Sequence, residues 1–302
     1  MWTRARSSIL AAMVALACAP ACVVEDEPDA LGEYVSELNL SNYVLPSLSA
    51  EERAAIVYRY DAIDPTDLVP RGLLEDALVY FDVNQAYIPK QRYLAIADFS
   101  LFSGKNRFWL VDLSTGVVEP HKVAHGNGSD PDHDGYANTF SNTSGSNMTS
   151  LGFYLTAEVY DGTHPHSMRL DGLSRDGSPN GMANTNARER LIVMHEASYV
   201  DDANSAKQGR SNGCPALDPD VNRSVVDRLR DGSLLYHATK PLAAPVGRTP
   251  PQDPEDPPAD DPTEDPRGEV PPDETAGCSA GGRGQGAALV LALALCLRRR
   301  KR

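Results

Sequence analysis

The residues most able to do chemistry are Cys214, in the run Ser211-Asn212-Gly213-Cys214, and His195, nineteen positions before it. A cysteine attacks as the thiolate, so it needs a base or a positive charge close by. Cys214 is the only cysteine between Cys22 and Cys278, so a folded domain in this interval cannot use it for an internal disulfide. An inert core thiol, an intermolecular bridge, a metal ligand and a nucleophile remain open. His195 is the first candidate for a base, because it ends the apolar run Leu191-Ile192-Val193-Met194 and a strand end holds a side chain rigidly. Ser211 could orient the imidazole through its hydroxyl or carbonyl. Gly213 permits a sharp turn that aims the Gly213 and Cys214 amides at one oxygen, as an oxyanion hole does.

Those residues need a rigid frame, and residues 45–240 are enough for one domain with a sizeable core. Ser49-Ala50-Glu51-Glu52 reads as a capping box, followed by Ala54, Ile56, Val57 and Tyr60 at helical spacing. Leu73–Tyr80 reads as a second helix. The pattern then turns to short β-branched and aromatic runs, Tyr93–Phe99, Phe108–Leu113 and Val117–Val123, separated by turn residues. Leu151–Val159, Ser167–Leu170 and Leu191–Met194 are further strands, Val221–Leu229 a helix, and Ser233–His237 a closing strand. The expectation is a mainly β domain with a helical preface. Residues 125–150, rich in Gly, Ser, Asn and Asp, form a long ordered loop, the kind that is usually functional.

The ends read as processing segments. Arg4, Arg6 and the apolar Ile9–Ala17 form a secretory signal over residues 1–22, with Cys18 or Cys22 available for lipidation. Residues 23–44 read as a linker. The net charge is −14, and residues 245–274 hold ten Pro and ten Asp or Glu against two Arg. That composition predicts an extended, self-repelling spacer over 241–274. Beyond it lie Gly277-Cys278, the apolar run Ala287–Leu297 and five basic residues. As a helix the run rises about 16 Å, short of the ~30 Å hydrocarbon core. Residues 275–302 resemble the myxobacterial C-terminal sorting signal (MYXO-CTERM), which implies processing near Cys278 and attachment at the membrane or display at the cell surface. No basic stripe or interleaved aromatic platform points to nucleic acid.

The run from His195 to Ser211-Asn212-Gly213-Cys214-Pro215 resembles the signature of the L,D-transpeptidase (YkuD-like) catalytic domain, in its murein branch. Its flanks agree: Val123-Ala124-His125-Gly126, Phe140-Ser141-Asn142, Gly145-Ser146, Ser150-Leu151-Gly152-Phe153-Tyr154, Arg169-Leu170-Asp171-Gly172-Leu173 and Gly209-Arg210-Ser211. The resemblance covers about residues 45–240. It implies a β-sandwich-like fold with no cofactor and a peptidoglycan stem tetrapeptide as substrate. Cys214 would be the nucleophile, His195 the general base, Ser211 the orienting third member, and the Gly213 and Cys214 amides the oxyanion hole. An acyl-enzyme would form with loss of D-alanine and pass to an amine (a 3→3 crosslink) or to water. The family usually carries Gly after the catalytic histidine and a large ring before the second Gly; here stand Glu196 and Asn212. Those departures keep a non-catalytic wall-binding protein in view beside an L,D-carboxypeptidase or endopeptidase.

Other residues carry weaker readings. His125 and Gly126 could line the substrate groove, or His125 could be structural. Arg169 and Arg210 could grip a stem-peptide carboxylate through the guanidinium fork, or form structural ion pairs. Asn212 could contact substrate. Asp130-Pro131-Asp132-His133-Asp134-Gly135 imitates the start of a calcium loop, but Ser141 stands where such a loop needs a bidentate Glu. The reading is therefore a solvated acidic turn with no metal. His164 and His166 read as surface loop residues, Tyr154 and Tyr199 as core or groove wall.

Overall fold

The computed structural model describes residues 39–248. The expected signal segment, the charged spacer beyond residue 248 and the sorting tail lie outside the described residues. Among those described, no helix is long and apolar enough to cross a membrane.

The preface is two helices. In α1 (Ala50–Tyr58) the Ser49 hydroxyl accepts from the Glu52 amide and the Glu52 carboxylate accepts from the Ser49 amide, a complete capping box. α2 (Arg71–Asn84) buries Leu73, Leu74, Ala77, Leu78, Tyr80 and Phe81. Arg53 ties α1 to it through Asp76 at 2.8 Å. Tyr80 of α2 stacks on Phe153, which stacks on Tyr236, with centroids 3.8 and 4.2 Å apart. That run of three rings seats the preface on the sheet.

Eight strands form the sheet: β1 (Tyr93–Asp98), β2 (Phe108–Asp112), β3 (Val118–His121), β4 (Gly152–Tyr160), β5 (Ser167–Gly172), β6 (Val193–Glu196), β7 (Ala216–Leu217) and β8 (Leu234–Ala238). Their order is β3-β2-β1-β8-β4-β5-β6-β7. The first three make the expected antiparallel meander. β8 then lies parallel to β1, with Ile96 opposite Tyr236, and antiparallel to β4, with Phe153 opposite Tyr236. β1 is buried at all but its first position and β8 throughout, because both faces of these central strands are covered. α2 packs on β1 and β8, and α3 (Pro219–Leu229) packs on β1 and β6.

The two ends of the sheet approach each other. Ala124, three residues past β3, bridges Ala216 of β7, and Gly126 bridges Ser211. The sheet thus curls until its edges nearly meet, as in a barrel or closed sandwich. The mainly β class with a helical preface is therefore the observed one.

Three details differ from the sequence reading. β6 begins at Val193, because Leu191 adopts φ +55° and cannot continue a strand. β7, two residues long, has no periodic signal. The packed body also exceeds 45–240. Tyr43 is buried and donates to the Tyr87 carbonyl. At the other end the amides of Val246 and Gly247 donate to Glu75.

Candidate active site

Cys214 sits where the curled sheet closes. The turn is built by Ser211, whose hydroxyl donates to the Cys214 carbonyl at 2.6 Å and accepts from the Gly213 amide at 3.1 Å. Gly213 has φ +122°, a left-handed conformation that favours glycine. Ser211 is pinned by main chain on both sides: its amide donates to the His125 carbonyl (2.9 Å), and its carbonyl accepts from the Asn127 amide (2.8 Å). Gly126 lies between these contacts. A β-carbon there would stand 2.3 Å from the Asn147 carbonyl oxygen and 2.9 Å from the Gly213 α-carbon, so only glycine permits this approach.

The thiol meets the start of β6. The Val193 amide points at Sγ from 3.5 Å, and the Leu191 carbonyl lies 3.8 Å away. An amide donor favours the thiolate over the thiol. The left-handed φ of Leu191 falls immediately beside the thiol and on a branched apolar side chain that is 47% exposed. Among the described non-glycine residues with positive φ, the rest are Asn, Asp or His, which tolerate that conformation better.

His195 stands on β6, opposite Ala216 of β7 and so two positions from the pairing level of Cys214. It is 4% exposed, and burial pushes its imidazole down to about 4. Nδ1 lies 2.8 Å from the Glu196 carbonyl oxygen. A carbonyl only accepts, so Nδ1 carries the proton and Nε2 is the basic nitrogen. This corrects one expectation: the imidazole is oriented by the Glu196 main chain, while the Ser211 hydroxyl is used in the nucleophile turn. The glutamate at 196 leaves this function intact, since any residue supplies the carbonyl. The Gly213 amide, expected in the oxyanion hole, is taken by Ser211 Oγ and would have to exchange that partner to serve one.

Of the remaining candidates, Gly126 and Asn212 belong to the nucleophile turn, and His125, Arg169 and Arg210 are engaged elsewhere. His125 is fully buried and belongs to a structural network, not to a groove. Arg107, also fully buried, donates through Nη2 to His125 Nδ1 (2.7 Å) and to the Val123 carbonyl (2.8 Å). His125 Nε2–H then donates to Asp130 (3.1 Å). Burial and the Arg107 charge push His125 down to about 4. Burial opposes the charge on Asp130, but bonds from His125 and the amides of Gly135 and Asp134 hold its carboxyl below the usual range. Asp130, Asp132 and Asp134 bring ligand oxygens within 4.8 Å of one another, yet the Asp130 oxygens already serve His125 and two amides. Gly126 is a spacer beneath the turn. Arg169 pairs with Glu158 at 3.3 Å and covers the Tyr160 ring, the structural alternative. Arg210 donates to the Asp130 carbonyl. Asn212 is exposed at the turn's tip and accepts from Asn127 at 3.0 Å.

The structure adds two residues to the site. The ring of His164, from the exposed β4–β5 turn, stacks on His195 with centroids 4.1 Å apart and planes 21° apart. Arg190 reaches the nucleophile turn from just before β6: its Nη2 lies 3.4 Å from where a Gly213 β-carbon would stand. Neither carries a sequence signal, since each is placed by strand pairing rather than by spacing.

The family model of the L,D-transpeptidase catalytic domain matches residues 67–237. No curated protein matches. Among solved structures, the chain is similar to an L,D-transpeptidase from Mycobacterium smegmatis (14% identity, 48% of this chain and 58% of that one, TM-score 0.29). It is similar to an L,D-transpeptidase in complex with imipenem (12%, 49% and 59%, TM-score 0.30). A third likeness is to the helical cell shape determining protein of Campylobacter jejuni (14%, 59% and 60%, TM-score 0.30). The chain thus spans less than two thirds of the length of each of these three.

Proposed function

Because this chain belongs to the L,D-transpeptidase catalytic-domain family, we propose that it is a cysteine acyltransferase acting on the stem tetrapeptides of peptidoglycan. The observation that carries the reading is the pairing of two geometries on adjoining segments. The Cys214 thiol receives the Val193 amide, and His195 is locked as the tautomer whose Nε2 accepts a proton.

In the first half-reaction Nε2 of His195 takes the thiol proton and Sγ attacks the carbonyl carbon of the third stem residue. The C–N bond to the terminal D-alanine breaks, its nitrogen receives that proton, and a thioester remains. In the second half-reaction an amine of another stem attacks the thioester. His195 takes the amine's proton and returns it to the departing thiolate. The burial that holds His195 near 4 keeps it an unprotonated base at neutral pH. The terminal segments, outside the described residues, support an exported and anchored protein, which is where such a substrate lies.

The test is incubation with disaccharide-tetrapeptide followed by mass spectrometry, with Cys214→Ala beside it. The expected outcome is D-alanine release with a crosslinked dimer, both lost in Cys214→Ala, and a stable adduct of imipenem at Cys214. D-alanine release without dimer would make the enzyme an L,D-carboxypeptidase. Neither product nor adduct would leave a wall-binding protein.

A further inference from the structure

A thiol is ionised at neutral pH only where a positive charge or hydrogen-bond donors favour the anion. His195 does not bring that charge, since burial keeps its imidazole neutral. Among the groups that interact electrostatically with Cys214 are Tyr154 on β4, Tyr199 after β6, and Arg190 before β6. Burial pushes both phenols up to about 12, so they are uncharged as well. Of these three, Arg190 carries a charge at neutral pH. Burial lowers its pKa, but a guanidinium remains protonated.

The side chain is held rather than free to swing. Nη1 donates to the Ser141 carbonyl at 2.8 Å; Nη2 donates to the Met148 carbonyl at 2.7 Å and meets Ser146 Oγ at 3.3 Å. All three acceptors belong to the long loop between β3 and β4. The same Nη2 borders Gly213, the residue before the nucleophile, where a β-carbon would also crowd the Met148 carbonyl oxygen at 2.9 Å.

We propose that Arg190 is a positioning residue for the nucleophile: its guanidinium, clamped by the 141–148 loop beside Gly213, is a fixed positive charge that favours the Cys214 thiolate. This rests on the reading of Cys214 as nucleophile. It assigns the loop a task as well, since the loop's carbonyls set how near the charge stands.

The experiment is the pH dependence of iodoacetamide alkylation in the full chain, read at the Cys214 peptide by mass spectrometry so that the other cysteines do not enter. The native protein should titrate below the ~8.5 of an unperturbed thiol. Arg190→Gln should raise the midpoint by about one unit, roughly a tenfold loss of alkylation rate below it. Arg190→Lys, which keeps the charge, should hold the midpoint much closer to native. If Arg190→Gln folds poorly, Ser146→Asp sets a carboxylate against the guanidinium while Arg190 stays, and should also raise the midpoint. An unchanged midpoint in folded Arg190→Gln or in Ser146→Asp overturns the proposal. So does an equal rise with Lys and Gln, which would make the residue a brace without an electrostatic role. Alkylation needs no peptidoglycan, so its outcome is separate from that of the transpeptidase assay.

Discussion

The imidazole of His195 is fixed at one edge by the Glu196 carbonyl and on one face by the ring of His164. The second contact comes from an exposed turn, so His164→Ala should fold normally. It should slow acylation by imipenem about two- to tenfold, the equivalent of a ring pair's ~0.5–1.5 kcal/mol. It should also move the acidic limb of the pH–rate profile upward, because His164 opposes charge on His195 and its removal lets His195 protonate sooner. An acidic limb in the same place would deny any coupling between the rings. Cys214 and His195 stand out as candidates in the sequence because the motif around them is local and specific. The orienting carbonyl does not, since any residue at 196 supplies it. His164 and Arg190 stayed hidden because only the pairing of β5 with β6 and the crossing of the 141–148 loop bring them to the site.

Elements differ in how directly they bear on the thiol. Gly126→Ala drives a β-carbon into two main-chain neighbours, the Asn147 carbonyl and the Gly213 α-carbon, and neither can swing aside. It should cost about 1–3 kcal/mol in urea unfolding and also suppress Cys214 alkylation, because the turn under Ser211 is displaced. Ser49→Ala removes the α1 capping box and should cost about 1 kcal/mol, with alkylation unchanged. Equal effects of both on the thiol would mean that the site responds to global stability alone. The long strands and helices were readable from periodicity. β7 was not, because two residues have no period, and the apolar run from Leu191 overstated β6, because periodicity does not report a left-handed φ. The parallel pairing of β1 with β8 is likewise beyond any local pattern.

For the molecule as a whole, His125, His195 and His237 are buried, and burial leads in pushing each down to about 4. The unfolded chain takes protons on these rings near 6.5, whereas the folded chain refuses them until about 4. Stability is therefore complete above about pH 7 and is lost as pH falls towards 4, by at most about 3 kcal/mol for each ring. Asp76 works the other way: burial raises its carboxyl to about 6, so the folded state gains as the pH falls from there, by at most about 3 kcal/mol. Burial raises the Asp98 carboxyl as well, but three rings outweigh two carboxyls, so the urea midpoint should fall clearly between about pH 7.5 and pH 4.5. A flat profile would mean that water reaches the rings. The sheet order has a temporal side too. β8 comes last among the described strands yet lies between β1 and β4, so the middle of the sheet stays open until residues 234–238 emerge. Folding with such distant pairings is slow. The edges of β1 and β4 that face the centre of the sheet therefore wait unpaired until the last of the described strands has been made.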